Sequence, residues 1–147
     1  MNLLALLAFI AGGAIAAQGT MNAQLGVLLK NSMLSTSIAF LFSCIFSMVA
    51  LVVLSKEYPE MAQVKVIPWY LWFSGSLLSA FAVAMFYYLI PLMGVGTMMS
   101  YALSGQIIIA MIASHFGWFN LPVQPLTMLK VSGIVTLIFG LFIINWN

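Results

Sequence analysis

Residues 33–54 read MLSTSIAFLFSCIFSMVALVVL, an unbroken run without a charged side chain. Crossing the hydrocarbon of a bilayer takes about 20 helical residues, and only helices or closed barrels satisfy every backbone N–H and C=O there. The run has that length, and it lacks the alternation of apolar and polar residues that marks a barrel strand. It predicts a membrane-spanning helix over 33–54, started by Asn31 and Ser32, whose side chains can satisfy free amides at a helix start.

A second apolar stretch precedes it, over 3–29. It is longer than a span requires and becomes polar in its second half through Gln18, Gly19, Thr20, Asn22 and Gln24, which predicts a helix that is tilted or broken near Gly19. Its apolar start, with Ala14 and Ala16, imitates a secretory signal, but no basic residue precedes it and more spans follow, so it reads as retained. After residue 54 comes a hydrophilic loop, Ser55 to Lys65. A third span over 67–90 opens with Pro68 and an interfacial aromatic group, Trp69, Tyr70 and Trp72. Pro91, Gly94 and Gly96 predict a tight reversal. A fourth span over 96–116 ends at Gly117, before a loop containing Pro122 and Pro125, and a fifth covers 127–146. The expected fold is an all-α integral membrane protein with five transmembrane helices in a single membrane domain, 1–147.

Composition points the same way. Only 4% of the 147 residues are charged, against about a quarter in soluble domains, and the mean hydropathy is +1.19. Membrane lipid is therefore the expected surroundings. The charges are Lys30, Lys56, Glu57, Glu60, Lys65 and Lys130, too few and too scattered for the basic patch that nucleic acid requires. With five spans, the amino terminus shares a side with Lys56, Lys65 and Lys130, and only Lys30 lies opposite. The positive-inside rule then favours a cytoplasmic amino terminus. So thin a bias is compatible with insertion in both orientations, or with a partner chain of opposite orientation.

Helices pack closely in lipid where small residues recur at steps of three, four or seven. Gly12, Gly19 and Gly26 do so in the first span; Thr36, Ala39, Ser43, Ser47 and Ala50 in the second; Ser76, Ala80 and Ala84, continuing to Tyr88, in the third. In the fifth, Ser132, Thr136 and Gly140 fall at steps of four beside Gly133, a candidate dimer interface that could equally pack on its own chain.

Polar amides inside a membrane face a bundle interior or a cavity. Gln18 and Asn22 stand one turn apart, and Gln106 shares a face with Ala102 and Ala110. These three, with Ser43 and Tyr88, form the expected substrate-binding set; Tyr87 and Tyr101 are further candidates for an aromatic wall. The competing reading is that the amides only join helices, a role worth about 0.6 kcal/mol on average.

His115 ends the fourth span at the negative end of its helix dipole, where a protonated ring would be favoured, and reads as a capping or surface residue. Cys44, the sole cysteine, reads as a small buried hydrophobe. No span contains Asp or Glu, so a buried acid exchanging proton for cation is not at hand. Paired His or carboxylates, a Ser with a base, and a phosphate-cradling glycine loop are likewise missing from the sequence, so no enzyme, no metal and no cofactor are expected.

The stretch from Gln18 to Gly26, QGTMNAQLG, resembles the first-span signature of the YdcZ-type family within the drug/metabolite transporter superfamily. The resemblance continues through Pro91-Leu-Met-Gly94, Gly105-Gln106 and His115-Phe-Gly117 with Pro122 and Pro125 before a last glycine-containing span. The family commonly has an acid just before the His-Phe-Gly segment, where this chain has Ser114, so any role of that acid does not transfer. The resemblance implies a bacterial inner (plasma) membrane protein that acts as an exporter. It also implies half of a ten-helix bundle, completed when a second identical chain or an opposite-orientation paralogue pairs with it inverted around one central site. Rocking one inverted half against the other gives alternating access. The expected function is a small-molecule membrane transporter whose substrate meets Gln18, Asn22 and Gln106; the alternative is a non-transporting scaffold or accessory subunit.

Overall fold

The computed structural model describes residues 2–146, and among these every regular element is helical. Four helical segments are long and apolar enough to cross a membrane: Leu3–Leu28, Ser32–Leu54, Trp69–Met93 and Val95–Phe116. A fifth apolar helix, Met128–Ile144, has 17 residues. The contacts divide the chain into two compact units, Met1–Leu92 and Met93–Asn147.

In the first unit, α1 (Leu3–Leu28) is one continuous helix of 26 residues, about 39 Å long at 1.5 Å per residue. It exceeds the roughly 30 Å hydrocarbon core without a break at Gly19. Gly19, Ala23 and Gly26 are buried along one face, whereas Gly12 has open space around it. The small-residue seam of α1 is thus closed only in its second half.

The turn from α1 into α2 (Ser32–Leu54) is set by Lys30, whose φ of 52° is left-handed. The Asn31 N–H donates to the Gly26 carbonyl (3.0 Å) and the Lys30 N–H to the Val27 carbonyl (3.1 Å), the paired bonds that close a helix around a left-handed residue. Asn31 also caps α2, its Oδ1 accepting from the Leu34 N–H at 3.0 Å. The hairpin is then fastened by Ser35, fully buried, whose Oγ donates to the Asn22 carbonyl.

Within the expected hydrophilic loop, a short helix α3 (Met61–Lys65) forms behind a reciprocal Glu60–Gln63 cap. The aromatic group Trp69–Trp72 winds into a 3-10 turn before α4 (Ser74–Met93). Pro91 does not belong to the reversal as expected; it lies inside the last turn of α4. So near the helix end a proline forfeits one bond, to the carbonyl four residues back, and the helix runs on for two residues. The break falls at Gly94 alone, with φ 85° and ψ 154°, a conformation open in practice only to glycine. Gly96, also expected in the reversal, is already helical.

In the second unit, α5 (Val95–Phe116) ends at Gly117, with φ 61°. A Cβ there would lie 2.7 Å from Val123 Cγ2, so both backbone and space call for glycine. The following loop returns onto the end of α5: Gln124 N–H donates to the Ser114 carbonyl (2.9 Å) and Leu126 N–H to His115 Nδ1 (3.2 Å). His115 therefore holds the loop at the end of α5, its Nδ1 accepting the hydrogen bond. Thr127 caps α6 (Met128–Ile144). On α6 the half-buried Ile134, Leu137 and Leu141 recur every three or four residues, as a stripe packed on α5 should. Asn145 Nδ2 donates to Ser100 Oγ at 2.7 Å across the pair.

A left-handed conformation at a non-glycine residue costs about 1–2 kcal/mol. Replacing Lys30 with glycine is expected to raise unfolding stability by about 1 kcal/mol, less the entropy glycine adds to the unfolded chain. Denaturation by SDS in mixed micelles measures this, with Lys30→Ala giving no gain.

Candidate functional site

The polar centre of the first unit is a triangle of side chains from α1 and α4. Asn22 Nδ2 donates to Gln18 Oε1 (3.0 Å) and to Tyr87 Oη (3.0 Å), and Tyr87 Oη donates to Gln18 Oε1 (3.0 Å). Gln18 and Asn22 meet because a step of four stacks side chains on one helix face. Tyr87 joins them from the buried face of α4 that also holds Ala84 and Ile90. At 2% exposure, Tyr87 needs a partner for its hydroxyl, and the amides supply a donor and an acceptor.

The triangle borders space. A cavity of about 330 Å³ is lined by Gln18, Ala39, Phe40, Ser43, Ser79, Val83 and Tyr87. A larger cleft of about 700 Å³ lies between α2 and α4 and shares Phe40 and Ser79 with it; Met33, Thr36, Cys44 and Ala80 are among its walls. Cys44 is exposed in this cleft and not buried as expected. A small apolar side chain surrounded by lipid gains little from burial, so hydrophobicity alone does not fix which way it faces.

A third space, about 410 Å³, lies along the α1–α2 turn and includes Lys30, Asn31, Tyr87 and Tyr88.

Comparison with known families decides the kind of site. A family model described as "Putative inner membrane exporter, YdcZ" matches residues 3–143. The chain belongs to this DMT_YdcZ family. Comparison with curated proteins and with solved structures finds no match. Family membership and the four apolar helices make this a protein of the inner membrane, in a family of exporters.

Of the residues singled out by sequence, Gln18, Asn22 and Ser43 are drawn together in the first unit: two in the triangle, and Gln18 and Ser43 on one cavity wall. Tyr88 is 54% exposed and borders the third space, outside the triangle. Its neighbour Tyr87 takes the network position because the buried stripe of α4 advances by three residues from Ala84 and not by four. Gln106 is exposed on α5 in the second unit. Ser132 and Thr136 are exposed on α6, with their hydroxyls donating to the Leu129 and Ser132 carbonyls (both 2.9 Å), and Gly140 has no atom within 4 Å of the place a Cβ would take.

Side-chain hydrogen bonds between membrane helices are worth about 0.6 kcal/mol on average and up to about 1.7. A double-mutant cycle of Gln18→Leu with Tyr87→Phe, read by SDS-titrated unfolding, is expected to give a coupling in the upper part of that range, because Tyr87 is buried with both partners on α1. A coupling near zero would show that the two side chains do not hold the helices together.

Proposed function

We propose that this chain is a small-molecule exporter working by alternating access as an inverted dimer, with Gln18, Asn22, Ser43, Tyr88 and Gln106 contributing to its substrate sites. The observation that carries the proposal is the Gln18–Asn22–Tyr87 triangle, set beside a cavity of about 330 Å³ in helices that are otherwise apolar. Amides that merely joined helices would have no use for an adjoining space. A pocket of this size with a few convergent polar groups is the usual form of a small-molecule site.

In the proposed arrangement α6 is the fifth span. Its 17 residues reach about 25 Å, at the short end of what a bilayer accepts. Five spans put the two termini on opposite sides, with the amino terminus cytoplasmic in the favoured insertion. The row of exposed Ser132 and Thr136 with half-buried Gly140 is the proposed seam with a second copy or with an oppositely oriented paralogue, since small residues let two backbones approach in lipid.

A ligand that binds only the folded state raises its stability by mass action. A panel of small metabolites is expected to contain a solute that raises the melting temperature of the purified protein, and the Asn22→Ala/Gln106→Ala double variant should lose that response. A panel without any stabilising solute, together with a variant that is merely less stable, would favour the scaffold function instead.

Orientation has its own test. Single cysteines at positions 30 and 130, in a Cys44→Ser background, are expected to label with impermeant reagent from both faces of sealed membranes. Labelling of each position from one face only would exclude an inverted pair of identical chains.

A further inference from the structure

We propose that the solute exported is uncharged and amphipathic, with a hydrogen-bond acceptor at one end and an apolar tail at the other. This deepens the transporter reading and rests on it.

Two neighbouring spaces of the first unit, which share Phe40 and Ser79 as lining residues, differ in chemistry. At the cavity end, Gln18 Oε1 already accepts from both Asn22 and Tyr87, and the Tyr87 hydroxyl proton is committed to Gln18. The Nε2 amino group of Gln18 has no intramolecular partner among the described residues, and Ser43 and Ser79 add hydroxyls to the same wall. Gln18 Nε2 can only donate, and the two serine hydroxyls can donate or accept, so this end has partners for an acceptor such as a carbonyl or ether oxygen.

The cleft beyond Phe40 and Ser79 behaves otherwise. Its Thr36 and Ser37 hydroxyls donate to the Ser32 (2.9 Å) and Met33 (3.0 Å) carbonyls of their own helix. Apart from the hydroxyls of Ser76 and of Ser79 at the shared edge, what remains for a ligand is the apolar surface of Met33, Phe40, Cys44 and Ala80. Polar head and apolar tail of one molecule would therefore be sorted between the two spaces.

Charge is excluded by the same walls. Neither space has an acidic or basic lining residue, and an unpaired charge moved out of water loses far more solvation than aromatic faces or hydroxyls return.

The test uses the full chain in lipid nanodiscs, because detergents are themselves amphiphiles. Cys44, the sole cysteine, lines the cleft and reports occupancy through its rate of reaction with a membrane-permeant maleimide. Octanamide, octylammonium and octanoate are compared at equal membrane-bound concentration. Octanamide is expected to slow labelling several-fold and the two charged probes to leave it unchanged. The Gln18→Leu variant should lose the octanamide effect, and Ser79→Ala, a smaller change at the same wall, should weaken it if Gln18→Leu does not insert. Protection by octylammonium or octanoate equal to that by octanamide would overturn the inference and leave the transporter reading standing. Absence of protection by all three, in a protein that a panel solute still stabilises, would overturn the inference alone. If no panel solute stabilises it either, the transporter reading falls with it.

Discussion

Hydrocarbon supplies no hydrogen-bond partners, so a polar side chain placed in a span must find its partners within the protein or beside a hydrated space. Gln18, Asn22 and Tyr87 meet that requirement together. They bond to one another and border a space, and because α1 contributes two of them and α4 the third, the same bonds hold those helices side by side. Ser35 extends the arrangement by donating to the Asn22 carbonyl from α2. Asn22 is thus the residue where the three long helices of the first unit are joined, through its side chain to α4 and through its backbone to α2. The cavity beside it follows from small side chains: Ala39, Ser43 and Ser79 leave unfilled what larger residues would occupy.

Lack of charge in the spans shapes the energetics of transport as much as the polar triangle does. A carboxylate in a span can alternate between proton and cation, coupling solute movement to a proton gradient. None of the spans has one. His115 is engaged in holding the loop after α5 through Nδ1. In the proposed cycle the switch between inward and outward states is therefore driven by the solute's own gradient, or by groups that a partner brings. An uncharged solute suits such a site, since its passage moves no charge across the membrane potential.

The helices themselves were legible from sequence because length and apolarity decide them. The ends of α2 and α5 could also be read, from Asn31 and Gly117, since capping and left-handed turns demand particular side chains. Pro91 lies in α4 and not in the reversal because the rule against proline in helices is weakest in the last turn. The exposure of Cys44 does not follow from its apolarity, because burial and hydrophobicity, joined in soluble proteins, come apart when the solvent is lipid. At the site, the facing of Gln18 and Asn22 followed from helical spacing within one element. Which tyrosine meets them depended on how α4 is rotated against α1. A shift of one residue rotates a helix face by about 100°, and sequence spacing within α4 does not fix that angle.

Lys30 shows how the turn and the proposed topology bear on each other. Its left-handed backbone is one that glycine would occupy with about 1–2 kcal/mol less strain, and the paired bonds of the turn involve only backbone atoms. Nothing in the geometry of the hairpin calls for a lysine. In the proposed five-span arrangement, however, Lys30 is the sole cation on its side of the membrane, opposed by Lys56, Lys65 and Lys130. Glycine would relieve the turn and leave that side without a charge, driving insertion towards a single orientation. An inverted pair of identical chains needs both orientations to form. The strain at Lys30 is then the local cost of a charge balance that the proposed inverted assembly requires.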